Sequence, residues 1–323
     1  MRGVFLDINT VGPNDLDLQP LTATLDDWSL LEQPGTEPLQ TLVNGAEVVV
    51  TNKVPLDRAV LRASESLRLI CVAATGTNNI DLASAAERDI TVCNVRAYAT
   101  TSVVEHVFSM MLALSRHHQQ YRQAVTRGDW GRAEAFCLLD YPIRELAGQT
   151  LGIIGYGELG KAVAQMGKAF GMKILIAQRP GTEGKPSAWC TPLKRLLAKS
   201  DIVSLHCPLV EATHNLIDRH ELEQMRTNAL LINTARGGIV NEAALASALL
   251  AGEIAGAAID VLSEEPPRNG NPLLDTSIPN LIVTPHIAWA AVSARQTLVN
   301  ELAANIRAFL NGRPRNVVAG PCH

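Results

Sequence analysis

The sequence has no apolar run of the roughly 18–20 residues that a membrane-spanning helix needs, and Asp7 follows the amino terminus too closely for a signal-peptide core. No segment gathers five or six like charges, and 28 Lys and Arg residues face 32 Asp and Glu residues. A nucleic-acid-binding protein needs a basic surface, which this composition does not offer. These absences predict a soluble, cytoplasmic protein with neither a membrane nor a nucleic-acid partner.

The six cysteines are scattered, and no two have Cys-x-x-Cys spacing. Structural zinc sites and redox-active dithiols depend on such close spacing. The eight histidines form no His-Glu-x-x-His or comparable ligand set either. The sequence therefore predicts no metal, and cysteines that are small buried side chains in a reducing compartment.

The length of 323 residues suggests about two domains, since domains average roughly 100–200 residues. Short β-branched runs alternate with helical stretches, which is typical of parallel sheets built from strand–helix–strand units. Residues 11–45 are rich in Pro, Asp, Thr and Gln and receive no assignment. Strands are predicted at residues 3–7, 46–51, 69–74, 90–94, 150–154, 172–177, 201–205, 229–233, 256–262 and 281–284.

Two segments between these strands have distinctive patterns. Ser102 and Glu105 have the spacing of a capping box and precede apolar residues at helical intervals, which predicts a long helix that starts at Ser102. Residues 128–147 resemble an extended arm whose large apolar side chains would be costly to expose to water. The arm is expected to pack either on a partner subunit or on this chain. A last helix is predicted at residues 293–310.

The predicted strand at 150–154 runs into Gly155-Tyr156-Gly157-Glu158-Leu159-Gly160 and then into a helical pattern. In that setting the first glycine permits a tight turn, the second lets a pyrophosphate approach the backbone, and the third allows close packing of helix on strand. The N–H groups at the start of the helix then face the phosphates. This pattern predicts a dinucleotide-binding domain; the alternative is a glycine-rich turn that binds nothing.

The residues after the next strand bear on the choice of cofactor. An acidic residue about 20 positions beyond the glycine turn ordinarily binds the ribose 2′-hydroxyl, but this chain has Gln178 followed by Arg179. A guanidinium can bind a 2′-phosphate at two points, whereas a carboxylate repels it. We therefore expect NADP to be accepted and favoured over NAD, with help from Lys185. The alternative is that Arg179 is a solvated charge and Gln178 still binds a ribose.

Polar side chains follow three later strands. Arg236, Glu265 and His286 come shortly after the strands predicted at 229–233, 256–262 and 281–284. Ligands of an open parallel sheet bind beyond the carboxyl ends of its strands, so we expect these side chains to meet there. Each of them alone is typical of a surface or loop residue, but together, beside a dinucleotide turn, they form a candidate catalytic set.

These motifs resemble the D-isomer-specific 2-hydroxyacid dehydrogenase family over nearly the whole chain. The segments at 51–55, 74–79 and 286–289 are most similar to glycerate dehydrogenases, also called hydroxypyruvate reductases. Gln178 departs from the acid of NAD-using relatives, so the cofactor is not carried over. The motifs stand in the family's order: the glycine turn, Asn233-Thr234-Ala235-Arg236-Gly237, Asp260, Glu265-Pro266 and Pro285-His286.

Reduction of a 2-keto acid needs a hydride for the carbonyl carbon, which a dihydronicotinamide supplies, and a proton for the oxygen. His286 is expected to donate that proton, while Glu265 accepts a hydrogen bond from the other ring nitrogen and favours the charged ring. Arg236 is expected to bind the substrate carboxylate as a fork and to polarise the carbonyl. The predicted activity is NAD(P)H-dependent reduction of hydroxypyruvate or glyoxylate to the D-2-hydroxy acid.

The resemblance further implies a homodimer of chains with two doubly wound parallel-sheet α/β domains. A flavodoxin-like substrate domain is expected at 1–98, with the segment 287–323 returning to it, and a Rossmann domain at 99–286. The substrate would lie in the cleft between them. The predicted cofactor contacts are Gly155, Gly157, Glu158, Leu159, Gly160, Gln178, Arg179, His206, Cys207, Pro208, Thr234, Ala235 and Asp260. The predicted substrate contacts are Ala74, Thr75, Gly76, Arg236, His286 and Trp289.

Some of these roles are implied by the family resemblance alone, and for two residues a second interpretation stays open. By resemblance, Asp260 orients the nicotinamide amide, and backbone N–H groups near Thr75 and Gly76 hold the substrate carboxylate. His206 either lines the cofactor site or only packs. Trp289 either closes the substrate pocket, which we favour, or fills core.

Two other functions stay open. C-terminal-binding proteins, which are transcriptional corepressors, share this fold and the Arg, Glu and His, but use the dinucleotide as a ligand that promotes assembly. The lack of long disordered tails and the pocket motifs favour an enzyme. A dehydrogenase for another substrate, such as phosphite, is the second alternative. Formate is not expected, because formate dehydrogenases of this superfamily have Gln in place of Glu265.

Overall fold

The computed structural model describes residues 1–179 and 190–320. The chain divides into two compact units: the first combines Met1–Ala99 with Trp289–His323, and the second is Thr100–Ala288. The domain boundaries predicted from the sequence lie within two residues of these bounds. Lys185 lies outside the described residues.

The first 99 residues alternate short strands with short helices. The strands are β1 (Arg2–Phe5), β2 (Asp27–Leu30), β3 (Val48–Thr51), β4 (Leu69–Val72) and β5 (Thr91–Cys93). The helices are α1 (Gln19–Thr22), α2 (Leu39–Leu42), α3 (Arg58–Ala63) and α4 (Leu82–Glu87), with 3-10 turns at Ile8–Val11 and Pro13–Asp15.

The second unit repeats the alternation with longer helices. Its strands are β6 (Thr150–Ile154), β7 (Lys173–Ile176), β8 (Ile202–Leu205), β9 (Leu230–Asn233), β10 (Gly256–Ile259) and β11 (Leu281–Val283). Its helices are α5 (Thr100–Ser115), α6 (His118–Thr126), α7 (Glu158–Ala169), α8 (Leu193–Lys199), α9 (Arg219–Glu223) and α10 (Glu242–Ala251). Its 3-10 turns are Trp130–Arg132, Glu211–Thr213 and Pro272–Leu274.

The chain returns to the first unit through α11 (Val292–Leu310) and β12 (Val317–Ala319). The first sheet has the order β12-β5-β4-β3-β1-β2, and only β12 runs antiparallel to its neighbour. Without β12 this is the flavodoxin-like order. The residues of β3 and β4 are all buried because helices cover both faces, as the unbroken apolar runs of these strands require.

The second sheet is entirely parallel, in the order β11-β10-β9-β8-β6-β7. Beyond β7, Thr191 forms a single parallel bridge with Ala177. This bridge lies where the third strand stands in the Rossmann strand order 3-2-1-4-5-6. The predicted pair of doubly wound α/β domains is confirmed.

The structure corrects one prediction and adds features that the sequence patterns did not indicate. Helix α5 starts at Thr100, and the Ser102 hydroxyl donates to the Ala288 carbonyl at 2.7 Å instead of capping the helix, so the predicted capping box is wrong. Strand β2 lies inside the stretch that received no assignment, and β12 was not predicted at all. In the arm, Tyr141 stacks on His117, whereas Phe136 is 89% exposed.

Within residues 1–179 and 190–320, no helix combines the length and apolar character needed to cross a bilayer. In the same part of the chain, no group of three His, Cys, Asp or Glu side chains is placed to hold a metal ion.

Candidate active site

The glycine turn joins β6 to α7 and has little room for side chains at two of its three glycines. Gly155 has φ +95°, and a Cβ there would lie 2.5 Å from the backbone of His206 and Cys207. A Cβ on Gly160 would lie 2.0 Å from the Gly155 carbonyl oxygen, so the helix packs directly on the turn. A Cβ on Gly157, in contrast, would meet no described atom within 4 Å. The open space at the start of α7 therefore fits a pyrophosphate.

Replacing Gly157 with alanine is expected to leave the fold intact and to weaken dinucleotide binding by roughly 10- to 100-fold, because the new methyl group occupies the space that the phosphates need. Quenching of protein fluorescence by NADPH measures the dissociation constant. Gly131→Ala is the matched control, since its Cβ also meets no atom of the described residues within 4 Å. An unchanged affinity of Gly157→Ala for NADPH would show that the glycine turn does not contact the cofactor.

The loop after β8 lies against this turn. The His206 N–H donates to the Ile154 carbonyl at 2.7 Å, and the ring Nε2 is 2.8 Å from the Ser204 hydroxyl. Burial lowers the pKa of His206 to about 4, so the ring is neutral at pH 7. Burial also raises the pKa of the adjacent Cys207 thiol to about 11, so this sulfur stays protonated.

Two buried polar atoms near these strand ends have no hydrogen-bond partner among the described residues: His206 Nδ1 and Thr234 Oγ1. Unpartnered buried polar atoms are costly, and a bound ligand or ordered water ordinarily compensates for them. Both atoms belong to residues predicted to contact the cofactor. Together with the open space at Gly157, they fit a bound dinucleotide.

The Arg236 loop follows β9 and is shaped by Asn233, which sequence reasoning assigned to a motif but to no role. Asn233 is 1% exposed; its Oδ1 accepts from the Ala235 N–H at 3.0 Å and its Nδ2 donates to the Arg236 carbonyl at 3.0 Å. The exposed Arg236 guanidinium donates to the Ala235 carbonyl through Nη1 at 2.7 Å. A Cβ on Gly237 would lie 1.8 Å from the Leu262 carbonyl oxygen. The Arg236 loop is therefore in direct contact with the loop that carries Glu265.

His286 and Glu265, from the loops after β11 and β10, form a close pair. His286 Nδ1 lies 2.6 Å from Glu265 Oε2, and the other carboxylate oxygen accepts from the Leu262 N–H at 2.9 Å. The two side chains are 26% and 33% exposed. Because an ionised carboxylate only accepts hydrogen bonds, Nδ1 carries the hydrogen, and a proton given to a substrate has to come from Nε2.

Asp260 follows β10 and is 1% exposed. Its Oδ1 accepts from the Thr284 hydroxyl at 2.5 Å and from the Ile287 N–H at 2.9 Å, and its Oδ2 accepts from the Ala288 N–H at 2.9 Å. Its backbone carbonyl accepts from the His286 N–H at 2.8 Å. Asp260 therefore holds both ends of the turn that presents the His286 ring.

The remaining predicted residues lie in three other places. The Gln178 N–H donates to the Thr191 carbonyl at 2.9 Å, and Arg179 is the last described residue before the gap. The Thr100 hydroxyl forms a short hydrogen bond with Glu158. In the first unit, the Thr75 hydroxyl donates to the Val95 carbonyl at 2.8 Å, just after β4.

Trp289 belongs to the first unit, where it packs partly buried against the core, 6.3 Å from the Tyr98 ring. This packing agrees with the core alternative; its predicted contact with substrate stays a prediction.

Comparison with known proteins decides the family. Residues 108–288 match the model of the family described as "D-isomer specific 2-hydroxyacid dehydrogenase, NAD binding domain". The chain belongs to this family. The matched residues lie within the second unit, so the domain that carries the glycine turn is the nicotinamide-dinucleotide-binding domain and the protein is an oxidoreductase of the 2-hydroxyacid dehydrogenase class.

Similar proteins span nearly the whole chain. A glycerate dehydrogenase from Methylorubrum extorquens is 45% identical over 94% of this chain and 97% of its own length. A hydroxypyruvate reductase from Blautia hydrogenotrophica is 35% identical over 98% of this chain and 99% of its own. The crystal structure of D-lactate dehydrogenase from Aquifex aeolicus, complexed with NAD and lactic acid, superposes with a TM-score of 0.83 and 28% identity over 99% of this chain and 100% of that one.

Proposed function

We propose that this dehydrogenase reduces hydroxypyruvate, and also glyoxylate, to the corresponding D-2-hydroxy acid with NADPH or NADH. The observation that carries the proposal is the 2.6 Å contact between His286 Nδ1 and Glu265 Oε2. The loop that carries Glu265 also touches the Arg236 loop, at the same sheet edge as the glycine turn. The names of the relatives from M. extorquens and B. hydrogenotrophica support these two keto acids as first substrates.

The reduced nicotinamide, when bound, supplies a hydride to the carbonyl carbon. His286 donates its Nε2 proton to the carbonyl oxygen as charge develops there, and Glu265 stabilises the imidazolium through Nδ1–H. Arg236 binds the substrate carboxylate with two parallel N–H groups and fixes the carbonyl near the proton donor. Asp260 keeps the His286 turn in place, and its Oδ2 has a further acceptor position for the nicotinamide amide.

The first test is steady-state consumption of NADPH and of NADH by the purified protein, with hydroxypyruvate and glyoxylate supplied separately. Turnover of either keto acid that rises with protein concentration, with formation of the D-hydroxy acid, supports the proposal. Cofactor binding without turnover of either acid would contradict it, and would favour another substrate or a dinucleotide-dependent binding protein.

For the cofactor we propose that NADPH is favoured over NADH. Gln178 brings no negative charge to the end of β7, and Arg179 offers a guanidinium for a 2′-phosphate. The variant Arg179→Gln tests this choice, since it should raise the KM for NADPH and leave that for NADH nearly unchanged. A higher kcat/KM with NADH in the parent enzyme would refute the preference.

Replacing Glu265 with glutamine should lower kcat for reduction by roughly 10- to 100-fold. The neutral amide oxygen accepts the hydrogen bond from His286 Nδ1–H more weakly than the carboxylate does, and it brings no negative charge to the imidazolium. Steady-state kcat with hydroxypyruvate measures the loss. Glu264→Gln is the matched control, because Glu264 is exposed and its carboxylate accepts hydrogen bonds from the side-chain amide of Asn269.

We also propose that the enzyme is a homodimer in which a second copy covers the arm at 128–147. Phe136 and Leu139 are 89% and 78% exposed, and apolar side chains at such exposure mark protein interfaces. Light scattering after size-exclusion chromatography should give twice the 34.7 kDa chain mass, and serine at both positions should lower it. A monomer in the parent protein would refute the dimer.

A further inference from the structure

A hydrogen-bonded chain runs from helix α5 to the turn that carries His286, through Thr284 and Asp260. The Thr284 hydroxyl lies 2.5 Å from Asp260 Oδ1 and 3.1 Å from His106 Nε2. His106 Nε2 also lies 3.6 Å from Asp260 Oδ1. Asp260 in turn accepts from the backbone N–H groups of His286, Ile287 and Ala288, so it holds the turn that carries the His286 ring.

The directions of these hydrogen bonds follow from the donors available. An ionised carboxylate only accepts, so the single hydrogen of the Thr284 hydroxyl points to Asp260. The contact between Thr284 Oγ1 and His106 then requires a hydrogen on His106 Nε2. The His106 ring therefore orients the Thr284 hydroxyl. The hydroxyl in turn neutralises part of the charge on Asp260 Oδ1.

Such a chain matters because Asp260 is 1% exposed and its carboxylate cannot turn to water for lost partners. Its oxygens also hold the N–H groups of Ile287 and Ala288, the two residues after His286. His286 itself has φ +56°, a left-handed backbone that few residues adopt without support. If Asp260 shifted, the turn would relax and the ring would leave its position.

We propose that Thr284 and His106 are positioning residues of the reduction, which act through Asp260 on the placement of the His286 ring. The inference rests on the proposed role of His286 as proton donor. It assigns to α5, which carries none of the predicted catalytic groups, a part in holding the turn that presents His286.

The test compares Thr284→Val, which keeps the shape and removes the hydroxyl, with Thr284→Ser, which keeps the hydroxyl. We expect Thr284→Val to lower kcat about 10-fold with either keto acid, with the KM for the keto acid within about 2-fold of the parent value. Thr284→Ser should recover most of kcat. Thr126→Val, in exposed α6, is the control for loss of a threonine hydroxyl. A kcat unchanged by Thr284→Val, or an equal loss in both variants, would overturn the inference.

A double-mutant cycle distinguishes an effect of His106 that passes through the Thr284 hydroxyl from a general structural effect of α5. His106→Leu should lower kcat in the parent enzyme and have no further effect in Thr284→Val, because its influence passes through the hydroxyl. His106→Gln, which can place an N–H near the position of Nε2, should recover activity. Equal losses from His106→Leu in both backgrounds would contradict an effect that passes through the hydroxyl.

A second measurement does not depend on activity. It tests the positioning role even if the enzyme turns over neither keto acid and the proposed function is wrong. Hydrogen–deuterium exchange followed by mass spectrometry reports the backbone amides of residues 286–288 in the protein without substrate. Thr284→Val should speed their exchange at least several-fold, and Thr284→Ser should not. Identical exchange in the parent and Thr284→Val would overturn the positioning role independently of activity.

Discussion

Replacing His286 with asparagine is expected to lower kcat for keto-acid reduction by about 10²- to 10⁴-fold, the usual contribution of a general acid. Asparagine tolerates the left-handed backbone at this position, where φ is +56°, better than alanine or glutamine does. The turn held by Asp260 should therefore survive, and the loss should reflect the missing proton donor rather than a disturbed loop.

Single-turnover reduction of hydroxypyruvate, followed by the absorbance of NADPH, measures this loss at the chemical step. The affinity for NADPH should change less than about 2-fold, since the glycine turn and the loops after β8 and β9 are untouched. His220→Asn, on the exposed face of α9, serves as the control. If His286→Asn kept a rate within 10-fold of the parent, another group would have to supply the proton.

Replacing Arg236 with lysine is expected to remove most of the activity, by roughly 30- to 1,000-fold in kcat/KM, or about 2–4 kcal/mol. Lysine keeps the positive charge but loses the planar fork that binds a carboxylate at two points. The loop should stay in place, because Asn233 and Gly237 fix it through backbone contacts that the side chain at 236 does not provide.

The kinetic signature of this variant is a rise in the KM for the keto acid together with a fall in kcat, whereas the KM for the cofactor should stay near its parent value. Adding guanidinium to Arg236→Ala should restore part of the rate, and adding ammonium should restore much less. Arg219→Lys, at the exposed start of α9, is the matched control. Near-normal turnover by Arg236→Lys would exclude Arg236 from substrate binding.

The parallel sheets and the glycine turn could be predicted from the sequence because each depends on local residue patterns. Unbroken apolar runs such as those of β3 and β4 indicate strands covered on both faces, and alternation with helices then leaves few topologies. The positions of Arg236, Glu265 and His286 after successive strands followed from the same pattern, since the carboxyl ends of parallel strands share one edge.

The missed features depend on contacts between distant residues. Strand β2 has no fully buried position, so its side chains carry no clear periodic signal, and β12 is set by antiparallel pairing with β5 more than 200 residues earlier. Ser102 has the sequence of a helix cap, but its hydroxyl reaches Ala288.

The support around the catalytic candidates was missed for a similar reason. The side chains of Asn233 and Thr284 neither give nor take protons near neutral pH, and His106 lies far in sequence from the predicted catalytic residues. An asparagine before the Arg-Gly pair and a threonine before the Pro-His pair are the only signals in the sequence, and both become meaningful once the hydrogen bonds are known.

Gly237 constrains the ways in which this enzyme can diverge. The loop that carries Arg236 and the loop that carries Glu265 meet at a residue without a side chain, because any Cβ there would collide with the Leu262 carbonyl oxygen at 1.8 Å. An insertion or a larger residue in one loop would displace the other, so Arg236 and the Glu265 that pairs with His286 have to be inherited together. We expect descendants of this protein to acquire new substrates through changes outside these two loops.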